Sequence, residues 1–282
     1  MPSELNLTRT GAPIVTSETD PSARLAAARA YERLHVPALF AQWCPHVLDA
    51  VGLESGHRVL DVACGTGVLA REAVPWVAPG GRVAGIDPDS GMLAVAAELS
   101  PQVEWREATA ESLPYPDASF DVVVSQFGLM FFSDRLRALR EMARVLRPGG
   151  KLAVATWDRL ENSEAYPIEV DLLERLVGKA AAAALRAPFV LGDVRALGAL
   201  IREAGLVSVD VQTRIGSARF PTIRAMVEAD LRGWLPVMGV FLDDDQIVRV
   251  LEESESVLAH YVTSEGDVVF SAPAHIATGT KP

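Results

Sequence analysis

The sequence is poor in cysteine and basic residues, and each shortage excludes a class of protein. Cys44 and Cys64 are the only cysteines and form no CxxC pair, so a disulfide framework or a zinc site is not expected. The five histidines are scattered without metal-ligand spacing. A formal net charge of −11 works against nucleic-acid binding, because that affinity rests on Lys and Arg at phosphates. We therefore expect two reduced thiols, no metal and no nucleic-acid partner.

Long apolar runs are also missing. No stretch of about 18 uninterrupted apolar residues occurs, so no membrane span is expected. The first 20 residues are polar and lack the apolar segment of a secretory signal. We predict a flexible leader over residues 1–18, followed by a soluble, cytoplasmic protein that is a monomer or homodimer. A chain of 282 residues, 49% of them apolar, suits one large domain.

Strands and helices alternate through the middle of the chain. The strands are predicted over 58–64, 82–87, 103–109, 120–127 and 151–157. Pro75 should end or kink the helix after the first strand, and Ser133 should cap a later helix that Pro148 stops. Such alternation is typical of an α/β fold with a doubly wound, mostly parallel sheet.

The rest of the chain completes this sheet and covers it. Two more strands, 208–220 and 267–282, make seven, with the last one antiparallel. Helical cap insertions are predicted over 19–52, 160–190 and 221–262. The core comprises about 53–158, 192–220 and 267–282, so residues 19–282 form a single domain.

A glycine turn follows the first strand in VLDVACGTGVLA, residues 59–70. Gly65, Gly67 and Ala70 fit the G-x-G-x-x-G/A spacing of a nucleotide-binding turn, and Asp87 ends the next strand. Glycines let a ligand approach the backbone, the helix start favours an anionic group, and Asp87 suits a ribose diol. The turn indicates a nucleoside-bearing ligand, which leaves a nicotinamide cofactor open.

Motifs further along separate these alternatives. Asp61 lies in the strand before the turn, and VEWREATAESLPYPDASFDVVVSQFGLMFF (103–132) and RVLRPGGKLAVATW (144–157) follow in order. Over residues 30–158 this set resembles the class I S-adenosylmethionine-dependent methyltransferases, in particular the small-molecule family related to ubiquinone/menaquinone-biosynthesis C-methyltransferases. The resemblance implies a Rossmann-like fold, S-adenosylmethionine as cofactor, and a small-molecule acceptor.

The resemblance also implies a cofactor site at the strand ends. Asp61 and the turn would hold the methionine end, Asp87 the ribose, and Thr109 with its neighbour the adenine. The full predicted set is Asp61, Ala63, Gly65, Thr66, Gly67, Asp87, Pro88, Met92, Thr109, Ala110, Glu111 and Gln126. The family often has Gly at the position of Ala63 and Asp or Asn at that of Thr109.

Aromatic side chains in the caps and at the strand ends predict an apolar acceptor pocket for a small lipophilic molecule, methylated on carbon or oxygen. Its predicted lining is Tyr31, Trp43, Phe127, Met130, Phe131, Trp157 and Trp234, with Phe40, Phe132 and Phe241 nearby. Each of these, taken singly, is more typical of core packing. No dedicated catalytic base is evident, and the weak candidates are His46, Asp158 and His260.

Two other functions remain open at this point. A nicotinamide-dependent oxidoreductase would explain the glycine turn and Asp87 but not the later motifs. A non-catalytic S-adenosylmethionine-binding regulator would show the same motifs, since they report binding rather than turnover. A methyltransferase acting on nucleic-acid bases would carry an N/D-PP-Y/F-like motif where this chain has Ser125-Gln126-Phe127-Gly128.

Overall fold

The computed structural model describes residues 21–282, so the leader predicted over 1–18 lies outside the described residues. The first described elements are α1 (Pro21–His35), a π-helical turn (Val36–Phe40), a 3₁₀ turn (Ala41–Trp43) and α2 (Cys44–Ala50). Pro37 and Pro45 each stand in the first turn of a new segment, where the missing N–H is not needed. These prolines divide the first cap as predicted.

The core then alternates between strands and helices. The strands are β1 (Arg58–Val62), β2 (Arg82–Asp87), β3 (Glu104–Glu107), β4 (Phe120–Gln126), β5 (Leu146–Trp157), β6 (Val207–Phe220) and β7 (Val268–Thr280). The helices are α3 (Val68–Val77), α4 (Ser90–Leu99), α5 (Arg135–Val145), α6 (Tyr166–Leu176), α7 (Lys179–Arg186), α8 (Val194–Glu203), α9 (Ile223–Ala229), α10 (Leu235–Val237) and α11 (Asp244–Val257).

Within residues 21–282 the strands form one seven-stranded sheet in the order β3-β2-β1-β4-β5-β7-β6. Strands β1 to β5 pair in parallel, and β7 lies antiparallel to both β5 and β6. The predicted fold class is confirmed, including the antiparallel last strand. Because the strand order reverses between β1 and β4, ligands of this sheet are expected beyond the carboxyl ends of those two strands.

The sheet is buried on both faces. Alternate residues of β1 point to opposite sides, so Val59 and Leu60 belong to two different apolar clusters. Val122 and Val123 of β4 divide in the same way. This double burial explains the nearly continuous apolar sequence of the central strands.

Several predicted boundaries differ from the structure. Helix α3 continues through Pro75 to Val77, because a proline so near the end removes a single helical hydrogen bond and Val77 is buried. Asp134 caps α5, not Ser133, since its carboxylate accepts from the backbone N–H of Arg137 at 2.9 Å. Propensity alone does not locate a cap to one residue.

The strands differ in length from the predictions as well. β3 is shorter than predicted, at four residues. β5 begins at Leu146, before Pro148, because Leu146 already pairs with Phe120 ahead of a register shift. Proline is tolerated at such an irregularity, so the segment predicted to be a helix stop belongs to a strand.

The two later helical insertions pack on each other, since α6 contacts α7 and α11, and α11 contacts α9. The first insertion packs on the core, where α1 contacts α4. The division into one domain with caps stays a prediction.

Across residues 21–282, none of the helices combines the length and apolar character that crossing a bilayer would need.

Candidate functional site

Two constraints shape the turn between β1 and α3. Side chains pack closely against one of its glycines, and the other leaves room for a ligand. Gly67 has φ +81°, and a Cβ there would collide with the ring of Trp105. Gly65 has φ +55°, and its missing Cβ would meet only the ring of Tyr31, at 3.9 Å. Close ligand approach was the predicted reason for both glycines. In the structure, close approach of a ligand still explains Gly65. Gly67 is needed because a side chain there would collide with Trp105.

Ala63 also adopts a left-handed backbone, with φ +57°. An L-residue with a Cβ loses about 1–2 kcal/mol in this conformation. The conformation explains why glycine suits this position, and why alanine strains the turn without breaking it.

Asp61 is a buried acid with one oxygen available. Its Oδ2 accepts from the backbone N–H of Ala70 at 3.1 Å, while its Oδ1 has no hydrogen-bond partner within the described part of the chain. Burial, together with the charge of Asp87, raises the pKa of Asp61 to about 8. A cationic ligand group beside it would favour the ionised form.

Asp87 anchors the turn. Its Oδ2 accepts from the N–H of Gly65 at 2.8 Å and its Oδ1 from the N–H of Asp89 at 2.9 Å. Burial raises the pKa of Asp87 to about 6 despite these two bonds. Each carboxylate oxygen has a second lone pair, so both remain able to accept from a ligand hydroxyl.

Buried polar atoms gather at the ends of β1 and β4. Thr66 Oγ1, Ser125 Oγ and Gln126 Oε1 are buried and, like Asp61 Oδ1, have no partner among residues 21–282. The Gln126 amide donates to the carbonyl of Phe40 at 3.2 Å, which orients it. Buried polar groups are normally paired, so this cluster fits the ammonium and carboxylate of an amino-acid-like ligand.

The remaining predicted cofactor residues are placed differently. Met92 is half-buried, Ala110 is buried, and Pro88 and Thr109 are exposed. Glu111 accepts from the N–H and hydroxyl of Ser133 at 2.9 and 2.8 Å, so its carboxylate is occupied at the start of α5. Their roles toward a cofactor stay predictions.

The structure brings much of the predicted pocket lining together. Phe127 stacks on Trp157 with ring centroids 4.1 Å apart, and Trp43 contacts both edge-on. Phe40 contacts Phe127 at 5.4 Å and Tyr31 at 5.5 Å. We call these five side chains the aromatic cluster; it links the first cap to the ends of β4 and β5.

The other aromatic residues lie around this cluster. Phe131 contacts Trp234 at 5.0 Å, which joins the end of β4 to the cap between β6 and β7. Met130 is buried, and Phe132 is half-buried beside a second apolar group. Phe241 is 75% exposed.

The three weak base candidates are engaged elsewhere. His46 Nδ1 lies 3.4 Å from Arg214, and His260 is exposed and packs on Tyr261. Asp158 accepts from the Arg159 N–H at 2.7 Å and the Asn162 amide at 2.8 Å. Its Oδ1 also lies 3.1 Å from Nε2 of the buried His275, so this acid ties β5 to β7.

Sequence reasoning missed a buried polar group in the caps, which we call the cap cluster: His35, Tyr166, Glu169 and Asp230. Burial raises the pKa of Glu169, of Asp230 and of Tyr166, and the charges of the two acids raise that of Tyr166 further. The sequence signal for Glu169 was its place between Tyr166 and Leu173 on the apolar stripe of α6. Among the described residues, no group of three or more His, Cys, Asp or Glu is placed to hold a metal ion.

Comparison of the sequence with known proteins finds methyltransferases. Residues 60–154 match a family model described as methyltransferase domain. The ubiquinone/menaquinone biosynthesis C-methyltransferase of Hahella chejuensis is 40% identical over 135 residues, 45% of this chain and 54% of that protein. The demethylmenaquinone methyltransferase of Renibacterium salmoninarum is 43% identical over 114 residues, 40% and 47% of the two chains. This chain thus spans about half the length of the curated relatives it matches.

Solved structures show the same fold. The YcgJ protein of Bacillus subtilis aligns with a TM-score of 0.56 at 20% identity, covering 85% of this chain and 98% of that one. Phosphoethanolamine N-methyltransferase 2 of Haemonchus contortus aligns with a TM-score of 0.60 at 19% identity, covering 96% and 61%. The fold therefore extends well beyond residues 60–154.

Proposed function

We propose that this chain, which carries a class I S-adenosylmethionine-dependent methyltransferase domain, transfers a methyl group to a small, apolar or aromatic acceptor. The observation that carries the proposal is Asp61, a fully buried acid whose Oδ1 has no partner within the described chain, beside a turn held by Asp87. A ligand with a cationic group and a ribose diol satisfies both residues. S-adenosylmethionine has both.

The residues at the strand ends bind and orient this cofactor. Asp61, Thr66 and Gln126 receive its amino-acid end, and Asp87 receives the ribose hydroxyls. When bound, the cofactor supplies a methyl carbon activated by its sulfonium. The chain contributes alignment and exclusion of water.

Helix α1 forms the cover of this site. Tyr31 lies against Gly65, and the pKa of its hydroxyl is raised by burial and by the charge of Asp87. Glu32 pairs with Arg71 of α3 at 2.6 Å, which fastens the helix beside the turn. Fastened in this position, α1 would keep bulk water away from the methyl group.

The aromatic cluster supports an acceptor with an apolar ring. The stacked rings of Phe127 and Trp157 are buried and would form an aromatic wall beside Gln126, where the methyl group would lie. The curated relatives are named for the ubiquinone and menaquinone pathways, which makes a quinone-like ring one candidate. Methylation on carbon or on oxygen fits this pocket.

A nicotinamide-dependent oxidoreductase is not favoured, because the matched family and relatives are methyltransferases. A non-catalytic cofactor-binding protein is an outcome of the experiment below. The cytoplasmic location and the monomeric or homodimeric state stay predictions.

Calorimetric titration tests the proposal. Wild type, Asp87→Ala and the control Asp49→Ala, an exposed acid on α2, are titrated with S-adenosylmethionine, S-adenosylhomocysteine and NAD. We expect the first two ligands to bind wild type and control, and Asp87→Ala to bind them about 10- to 100-fold more weakly, because a charge-assisted hydrogen bond contributes about 1.5–3 kcal/mol.

Binding of NAD without S-adenosylmethionine would contradict the proposal. Cofactor binding with no transfer to any acceptor in a panel of phenols, thiols and amines would favour the non-catalytic alternative.

A further inference from the structure

The sheet has two edge strands of very different character. β3 lies at one edge and is only four residues long, with Glu104, Arg106 and Glu107 among them. Short, charged edge strands resist pairing with other chains. β6 lies at the other edge, is 14 residues long and is exposed along most of its length. A long exposed edge of this kind is a template for a further strand.

The register of β6 shows which of its backbone groups face outward. Ile215 lies opposite Pro273 of β7, which has no N–H to donate and whose carbonyl accepts from the N–H of Asp158 after β5. In an antiparallel pair, alternate residues point their N–H and C=O away from the partner strand. Val211, Thr213 and Ile215 therefore point theirs outward, and we call these three residues the open edge. Within residues 21–282 no other strand pairs with them.

The chain itself closes both ends of the open edge. On the carboxyl side, Ser217 donates its N–H to Gln42 at 2.9 Å and accepts from the Gln42 amide at 2.8 Å, so this side chain takes the place of a neighbouring strand. On the amino side, a bulge shifts the register between Val207 and Asp210, and Ser208 has φ +51°. Bulges interrupt regular pairing. A second strand therefore fits along the residues between them.

The open edge also carries an exposed apolar side chain. Ile215 is 84% exposed, the largest exposed fraction among the large apolar side chains of the described residues. Val209, Val211 and Thr213 alternate with it on the same face of the strand and are β-branched as well. Such side chains pack well across paired strands. A strand paired with the open edge would remove Ile215 from water.

We propose that the open edge pairs with the open edge of a second copy of this chain, antiparallel and about a two-fold axis at Gln212. A two-fold contact needs a surface that complements itself. In this register Val211 lies opposite Thr213 of the second copy, and each such pair exchanges both of its backbone N–H···O bonds. Asp210 lies opposite Arg214 of the second copy, so an opposite-charge pair forms on each side of the axis. This inference is independent of the proposed methyl transfer.

Charge selects this register over its neighbours. Outward-pointing residues must face one another, so the axis moves in steps of one residue. An axis at Val211 or Thr213 places Asp210 or Arg214 opposite Gln212 and loses the charge pair. An axis at Asp210 or Arg214 places that residue opposite its own copy, and like charges directly opposite one another are destabilising.

Both charged residues are available for this contact. Asp210 and Arg214 are exposed. The Asp210 carboxylate accepts from the Gln212 amide at 2.9 Å, and Arg214 Nη1 lies 3.4 Å from Nδ1 of His46. These contacts give neither of them a partner of opposite charge within residues 21–282. The second copy supplies one to each.

Exchanging the two charges tests the pairing. Asp210→Arg places arginine at both positions of every copy, and Arg214→Asp places aspartate at both. We expect wild type to form a concentration-dependent dimer in sedimentation velocity, and each single variant to dimerise about 10- to 100-fold more weakly, because its opposite-charge pairs become like-charge pairs. An equimolar mixture of the two variants should recover wild-type dimerisation, since arginine then faces aspartate throughout. The double variant Asp210→Arg/Arg214→Asp should recover it as well.

Two controls make the same charge changes elsewhere. Asp245→Arg and Arg249→Asp alter exposed positions of α11 and should leave dimerisation unchanged. Calorimetry with S-adenosylmethionine is the control for folding. Its affinity should be the same in all variants, because β4, β5 and β7 separate β6 from β1 and the glycine turn. Failure of the pairing and failure of cofactor binding are therefore separate results.

Amide hydrogen exchange gives a second readout of the interface. We expect the amides of Val211, Thr213 and Ile215 to become protected as the protein concentration rises. Protection that does not depend on concentration would mean that another segment of the same chain covers the edge, and would overturn the inference. A wild type that stays monomeric, or a dimer that both single variants leave unchanged, would overturn it too.

Discussion

Two buried acids at the glycine turn have different tasks. Asp87 accepts two backbone N–H groups and holds the turn in place, while Asp61 keeps an oxygen without a partner in the described chain. Burial makes ionisation of Asp61 unfavourable when no ligand is present. Ionised Asp61 therefore carries an electrostatic cost, and a cationic ligand beside it lowers that cost.

The cost of ionising Asp61 predicts that the stability of the fold depends on pH. The pKa of folded Asp61 is about 8 against an ordinary 3.8, so the folded state holds this proton more tightly and stability falls as pH rises from about 4 to 8. Asp61→Asn cannot ionise. We expect it to be more stable than wild type at about pH 9, by roughly 1–3 kcal/mol, and to bind S-adenosylmethionine more weakly. Thermal unfolding at about pH 6 and 9 measures the first effect, since each kcal/mol shifts Tm by about 2–4 °C.

Asp49→Asn is the matched control, because Asp49 is exposed and its stability difference from wild type should not change over this range. A variant at position 61 that is less stable than wild type at both pH values would show that Asp61 is not destabilising.

Helix α1 is held over the site by close packing on α4 as well as by the ion pair between Glu32 and Arg71. A Cβ at Gly91 of α4 would lie 2.8 Å from the carbonyl carbon of Arg24, so glycine is needed for this approach. The ion pair between Arg29 and Glu98 is exposed and contributes at most about 1 kcal/mol. The position of Tyr31 over the turn therefore depends on the contact between α1 and α4.

Gly91→Ala tests this contact. The added methyl group displaces α1, so we expect weaker binding of S-adenosylmethionine, by about tenfold or more, and faster proteolysis within α1. Global stability should change little, since alanine favours helix α4 by about 1 kcal/mol. Gly198→Ala in α8 is the control, because its methyl group would meet the mobile end of Arg202 at 3.3 Å. Unchanged affinity and proteolysis in Gly91→Ala would contradict a covering role for α1.

At the scale of the whole molecule, cofactor and fold are linked. The site joins the ends of β1, β2 and β4 to the first cap, so a ligand there contacts elements far apart in sequence. Binding to the folded state alone stabilises the entire fold by mass action. By contrast, the net charge of −11 gives the protein no general electrostatic attraction for polyanions.

We therefore expect a large thermal shift with the right ligand. S-adenosylhomocysteine at about 100 times its Kd should stabilise the protein by about 2.7 kcal/mol, or roughly 5–10 °C in Tm. NAD at the same concentration should not shift Tm. Differential scanning fluorimetry measures both, and a shift with NAD alone would contradict the assignment of the glycine turn.

Much of the fold was readable from local patterns. The alternation of strands and helices predicted the parallel part of the sheet, because each βα unit carries its own apolar periodicity. Boundaries were less readable: α3 runs past Pro75 and β5 begins at Leu146, because burial and strand pairing outweighed local breakers.

The sequence by itself determined the cofactor turn and the acid beside it, since Asp61, Gly65 and Asp87 belong to consecutive elements at fixed spacing. Only the tertiary structure decided what surrounds them. Trp105 lies under Gly67 from another strand, and His35 meets Asp230 from a different cap. Such pairs leave no spacing signal, because the residues are brought together by how the caps and strands pack and not by the periodicity of any one element.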